Sequence, residues 1–254
     1  VLLMSDHPTQ TSLTKSGPGS VLILSDRSLV SGFTIQGANG EYWSSGIYFS
    51  GNDSPVIVNN LIRNNLIGIA NFCLDVNSCG NQPLIAQNIL INNSNAGIVD
   101  TTGGSQIINN TLLQNQDGIR IDAKRPGALI KNNIVVHNQH WGIRLDHGEV
   151  ANSYNLVWGN GMDYSNLNQG AGDFGLDPLF VDEAGGNFLL REDSPAINAG
   201  DPANPYRDGD GTRNDVGGTG GPFAESPLQL SAYTSKQVPV AGDELTLMLE
   251  LTNA

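Results

Sequence analysis

Gly118-Ile119-Arg120-Ile121-Asp122, then Leu129-Ile130-Lys131-Asn132-Asn133-Ile134-Val135-Val136-His137-Asn138, is the stretch that decides the fold. Its marks recur along the chain. Gly-Ile stands at Gly46, Gly68, Gly97, Gly118 and Gly142, spaced by 22, 29, 21 and 24 residues. An Asn that opens a short apolar run stands at Asn60, Asn88, Asn110, Asn133 and Asn155, spaced by 28, 22, 23 and 22. Five residues after each comes a second Asn, at Asn65, Asn93, Asn115, Asn138 and Asn160. Three registers keep step through five repeats, and no helical period runs through them. Short β-branched segments bounded by Gly, Asn and Asp read as strands and corners. The expectation is an all-β solenoid whose coils hold two or three strands each.

Stacking explains the composition. Successive coils lie about 4.8 Å apart, so equivalent residues sit above one another. Inward Ile, Leu and Val then form apolar columns. The two Asn registers are expected to form ladders of stacked amides, because each amide carries both donors and an acceptor. Asn also tolerates the left-handed backbone of sharp corners. The chain of 254 residues contains 29 Asn and 31 Gly, and only 15% of it is charged. That composition excludes a coiled coil and a disordered chain. No apolar run approaches the roughly 18 residues of a membrane span. A net charge of −13 argues against nucleic-acid binding and works against polyanionic substrates generally.

The units Gly46-Ile47-Tyr48-Phe49, Pro55-Val56-Ile57-Val58-Asn59-Asn60 and Gly118-Ile119-Arg120-Ile121-Asp122 resemble repeats of right-handed parallel β-helix proteins of the pectate-lyase-like superfamily. Val21 to Ile35 resembles the entry coil of such proteins. Asp177-Pro178-Leu179-Phe180 to Asp201, with Asp208-Gly209-Asp210-Gly211, resembles the closing segment of secreted bacterial members. The resemblance covers roughly residues 1–220 and is specific for fold. It implies little about reaction, since the superfamily holds lyases, hydrolases, epimerases and non-catalytic surface proteins.

The expected organisation is a β-helix over residues 1–222, whose last part, 176–222, caps the open end of the apolar stack. Gly217 to Pro222 reads as a linker. Residues 223–254 alternate with period two and look like the first strands of an immunoglobulin-like module. The chain opens without Met or a signal-peptide core and closes inside a strand-like pattern, so it reads as a piece of a longer protein.

The register also places several candidate sites. Cys73 and Cys79 lie in the longest coil, and a disulfide between them is the leading reading, implying an oxidising compartment. In the Gly-Ile strand the residues two apart point inward, so Tyr48, Ala70, Val99, Arg120 and Arg144 form one outward column. Ser50, Phe72, Thr101, Asp122 and Asp146 form a second, followed by Lys124, Arg125 and His147. Arg120, Asp122, Lys124, Arg144, Asp146 and His147 could serve β-elimination on a uronate, or cleave a glycoside through the paired carboxylates. The plainer reading is an exposed charge ladder. Tyr48, Phe72, Trp43 and Trp141 are candidates for stacking on sugar rings. Asp208, Asp210 and Asp215 resemble half of a Ca²⁺ loop, with Tyr206 where the first acid belongs. No cofactor is required; Ca²⁺ is the one ion suggested.

The functional expectation is a secreted or cell-surface bacterial scaffold, non-catalytic, for glycan binding, adhesion or envelope interaction, with a polysaccharide or envelope glycan as the expected partner. The alternatives are a lyase, epimerase or hydrolase of acidic polysaccharide, and a self-associating filament or sheath subunit.

Overall fold

The computed structural model describes residues 1–5, 11–40, 43–73 and 79–222. The expected immunoglobulin-like strands of 223–254 lie outside the described residues. Within them the chain is a right-handed parallel β-solenoid of seven three-stranded coils. The strands, in chain order, are Leu2–Met4 (β1), Ser12–Thr14 (β2) and Leu22–Ile23 (β3); Leu29–Ser31 (β4), Thr34–Gln36 (β5) and Ser45–Ser50 (β6); Val56–Val58 (β7), Leu61–Arg63 (β8) and Ile67–Phe72 (β9). The fourth and fifth coils hold Leu84–Ala86 (β10), Ile89–Ile91 (β11), Ala96–Asp100 (β12), Gln106–Ile108 (β13), Thr111–Leu113 (β14) and Asp117–Asp122 (β15). The last two hold Leu129–Lys131 (β16), Ile134–Val136 (β17), Trp141–His147 (β18), Ala151–Ser153 (β19), Leu156–Trp158 (β20) and Met162–Ser165 (β21). The first, second and third strands of every coil stack into three seven-stranded sheets, here A, B and C.

The registers have separate structural causes. Ile47, Ile69, Ile98, Ile119 and Ile143 are fully buried and form one column of the core, with Ile57, Ile85, Ile107 and Ile130 in another. Burying each such side chain contributes about 1.5–3 kcal/mol. The glycine before each Ile is forced by the stack. A Cβ on Gly68 would come within 2.5 Å of the Gly97 carbonyl oxygen, and one on Gly118 within 2.5 Å of that of Gly142.

The two Asn registers are amide ladders. Asn60 Nδ2 donates to Asn88 Oδ1 (3.0 Å), Asn88 to Asn110 (3.0 Å), Asn110 to Asn133 (3.1 Å) and Asn133 to Asn155 (3.0 Å). The second column repeats this from Asn65 through Asn93, Asn115 and Asn138 to Asn160. Each Oδ1 also accepts from a backbone N–H one coil earlier: Phe33 for Asn60, Ala38 for Asn65, and the preceding ladder Asn thereafter, as Asn110 Oδ1 does from Asn88. Each ladder ends on a carboxylate. Asp173 Oδ1 accepts from Asn155 Nδ2 at 3.1 Å, and Asp163 Oδ1 from Asn160 Nδ2 at 2.9 Å. A terminal donor needs only an acceptor, which Asp supplies. The left-handed corners fall one residue earlier, and the residue there need not be Asn: Asn59, Gln87, Asn109, His137 and Tyr154 all have φ of 53–58°.

Residues 176–222 do not close the end of the stack. They turn back along its flank as a strap over the outer face of sheet B. Phe180 and Phe188, in an antiparallel pair formed by Phe180–Asp182 (β22) and Asn187–Leu190 (β23), pack with Leu113, Ile134, Val136 and Leu156. The physical reason is that the later strands of sheet B carry Ile89, Ile91, Leu113, Ile134, Val136 and Leu156 on the outer face, which would otherwise meet water. Farther on, Asn214 and Asn109 exchange side-chain hydrogen bonds (3.1 Å each), Lys131 pairs with Asp201 (2.5 Å), and Gln87 Nε2 donates to the Gly220 carbonyl (2.8 Å). The strap therefore runs back along the stack: residues 183–188 reach Leu61 and Arg63 of the third coil, and Gly220 reaches Gln87 of the fourth.

Candidate functional site

The outer face of sheet C carries the densest group of the candidate residues. Its register is the expected one: Tyr48, Ala70, Val99, Arg120 and Arg144 lie side by side. Ala70 and Val99 are small and covered, while the side chains on either side of them are long. A trough results, with a cleft of about 450 Å³ lined by Trp43, Phe72 and Val99 on one side and Arg120, Lys124, Asp122 and Asp146 on the other.

Two aromatic rings, Trp43 and Phe72, line the apolar wall, and Tyr48 lines a separate pocket with the same two rings. Trp43 meets Phe72 edge to face at 4.2 Å between centroids, and Tyr48 lies 6.0 Å from Phe72. Trp43 remains 56% exposed, so its ring is open to a ligand. Trp141, the fourth aromatic candidate, does not line the cleft. It carries the Arg144 guanidinium 4.1 Å from its ring centre.

The polar wall is a grid of paired charges. Arg120 Nε donates to Asp146 Oδ2 at 2.6 Å and Arg144 Nε to Asp146 Oδ1 at 2.5 Å, so one carboxylate is held by two guanidinium groups. The sequence register puts Asp122 beside Asp146, but the register shifts between Ile121 and Asp122, and Asp122 faces His147 instead. His147 Nδ1 lies 3.0 Å from Asp122 Oδ1. A bulge of this kind puts two residues opposite one and re-aims the side chains beyond it. Lys124 Nζ donates to the Cys73 carbonyl at 2.8 Å, and Thr101 Oγ1 accepts from the Cys73 N–H at 2.8 Å. Cys73 is joined to Cys79 in a disulfide, so the longest coil is anchored at the cleft's edge.

Asp117 belongs to this face and was missed by sequence reasoning. Its carboxyl is nearly covered, 3.8 Å from His140 Nδ1. Burial pushes its pKa above the ordinary carboxyl value, against the opposing pull of His140, Arg144 and Arg120. The available signal was the residue preceding each repeat glycine: Ser45, Ile67, Ala96, Asp117, Trp141. One acid stands there among uncharged neighbours.

The candidate Ca²⁺ loop uses its oxygens internally. Asp210 Oδ1 accepts from the Thr212 N–H (2.8 Å) and hydroxyl (2.7 Å), and these bonds hold its pKa below the usual value. Asp208 Oδ1 accepts from the Gly221 N–H at 2.6 Å, and burial raises its pKa. Asp215 Oδ1 accepts from the Asn198 N–H at 2.7 Å. Among the described residues no three His, Cys, Asp or Glu side chains are grouped to hold a metal ion. His137, His140 and His147 are apart in function, facing Glu183, Asp117 and Asp122 respectively.

Residues 11–171 match the model of a protein family described as periplasmic copper-binding protein (NosD). No curated protein and no solved structure matches the chain.

Proposed function

Starting from the fact that the chain belongs to the NosD family of periplasmic β-helix proteins, we propose that it is an envelope scaffold that binds glycan in the cleft of sheet C. The family's periplasmic description agrees with the coarse expectation of a protein outside the cytoplasm, and the Cys73–Cys79 disulfide suits an oxidising compartment. One observation carries the glycan reading: an open Trp43 ring stands opposite a row of side chains that can bond hydroxyl groups. A pyranose has an apolar face for the ring and a polar edge for the grid.

Copper, named in the family's description, does not fit the described side chains as a resident ion. Copper favours imidazole, thioether and thiolate ligands. Here both cysteines are joined to each other, and Met4 and Met162 stand in the first and seventh coils on different sheets. Each described histidine faces its own carboxylate, without a third ligand. No part of the proposed function runs through copper.

The test is affinity electrophoresis against a panel of soluble polysaccharides, with product analysis alongside. Retardation that Trp43→Ala weakens about tenfold, the cost of one good stacking contact, with no new reducing ends and no absorbance near 235 nm, is the expected result. Turnover of any polysaccharide would overturn the non-catalytic reading, and no retardation by any of them would overturn glycan binding.

A further inference from the structure

Resting on the glycan reading, we propose that the cleft selects a neutral, hydroxyl-rich saccharide and discriminates against polyuronates. The inference comes from how the charges of the cleft are spent. Its lining carries two cations, Arg120 and Lys124, and two carboxylates, Asp122 and Asp146. None of the four is free. Arg120 is bonded to Asp146, and Asp146 is also held by Arg144. Asp122 is bonded to His147, and Lys124 to the Cys73 carbonyl.

A carboxylate-bearing sugar brings one negative charge per residue into such a site. It finds Arg120 already paired and only Lys124 without an ionic partner, beside two carboxylates of like sign and a chain of net charge −13. Arg120 can still offer it Nη hydrogen bonds, but the guanidinium charge is already shared with Asp146 at 2.6 Å, so a second carboxylate gains little and is repelled by the first. A hydroxyl group makes no such demand. It donates and accepts, so it adds to an ion-pair grid without breaking it. Arg120 retains N–H groups beyond Nε, Lys124 retains two ammonium protons, and Asp122 retains its second oxygen. Donors and acceptors thus share the lining with Trp43, and vicinal hydroxyls can use both.

The test is isothermal titration of the whole chain with soluble neutral glucan and xylan oligosaccharides, and with oligogalacturonate and oligoalginate, each at 20 and 200 mM NaCl. The expected result is binding of a neutral oligosaccharide that changes less than twofold with salt, and at least tenfold weaker binding of the uronates. The gain-of-function arm is Asp146→Asn, with circular dichroism to confirm its fold. Releasing Arg120 and Arg144 should raise oligouronate affinity at least tenfold at 20 mM NaCl and make it salt-sensitive. Uronate binding by the unmodified chain at equal or greater affinity would overturn neutral selectivity while leaving glycan binding intact. No gain in Asp146→Asn would overturn the charge-commitment argument. Failure of every oligosaccharide to bind would overturn the glycan reading itself.

Discussion

Asn110→Ala removes one rung from the middle of the first amide ladder, and the structure says what is lost. Asn110 is fully buried. Its Oδ1 accepts from the Asn88 N–H (3.1 Å) and Nδ2 (3.0 Å), and its Nδ2 donates to the carbonyls of Ile85 (2.8 Å) and Ile108 (3.2 Å) and to Asn133 Oδ1 (3.1 Å). After truncation Asn88 Nδ2 still has the Ile57 and Ala86 carbonyls, and Asn133 Oδ1 still accepts from the Asn110 N–H. The Asn88 N–H loses its ladder acceptor in a dry interior. Orphaning a buried donor costs about 1–3 kcal/mol, and each further lost bond about 0.5–1.5 kcal/mol. The orphaned donor and the four further bonds together give an expected loss of about 3–9 kcal/mol. With a urea slope of about 2–3 kcal/mol per molar, the midpoint falls by about 1–4.5 M. Urea unfolding followed by tryptophan fluorescence reads it, since Trp43 and Trp158 report from opposite ends of the solenoid. The exposed Asn39→Ala is the control and should shift stability by no more than about 0.5 kcal/mol. A loss below about 1 kcal/mol for Asn110→Ala would refute the idea that the ladder amides secure the corners.

Asp117 has a folded pKa raised by burial, so its ionisation opposes folding; the cost is absent below the ordinary carboxyl pKa and fully present above the raised one. Asp117→Asn should therefore stabilise at neutral pH, with the gain vanishing near pH 3; a constant gain across pH would contradict this. For Asp201 the sign reverses. Burial opposes its ionisation, but the Lys131 bond and other donors outweigh burial and lower its pKa. Its contribution is complete above the ordinary carboxyl value and is lost as pH falls through the lower folded value, so acid should loosen the strap; hydrogen exchange at Gly217 and Gly218 that does not speed up on acidification would argue against it. Cys73 and Cys79 should resist thiol alkylation until reductant is added, and prompt labelling of the native chain would contradict the staple.

Much of this fold is legible in three registers because each has a single steric or hydrogen-bonding cause repeated every coil. Inward Ile, ladder Asn and close-packed Gly need nothing from distant sequence. The Asp122–His147 pairing is different. β18 has seven residues where β15 has six, and the bulge that absorbs the excess moves the second outward column by one place. The strap was foreshadowed by a signal read too narrowly. Ile89-Leu90-Ile91, Thr111-Leu112-Leu113 and Ile134-Val135-Val136 do not alternate, which is how strands covered on both faces read. The ladder-ending acids were hidden because Asp163 lies three residues beyond Asn160 and Asp173 lies 18 beyond Asn155, off the repeat spacing. Pairing within the charge grid was equally out of reach, since it depends on rotamers across three neighbouring strands.

The strap also sets how the molecule would carry mechanical load. Pro222, the last described residue, lies beside Leu84 and Ala86 of the fourth coil. Tension applied at Pro222 would reach the Gly220–Gln87 bond first, then the Asn214–Asn109 exchange and the Lys131–Asp201 pair, before it reached Phe188 and Phe180. The strap must peel contact by contact while the last three coils stay wound. Each of those bonds is worth only about 0.5–1.5 kcal/mol, so the strap is expected to yield in small steps before the coils beneath it are loaded.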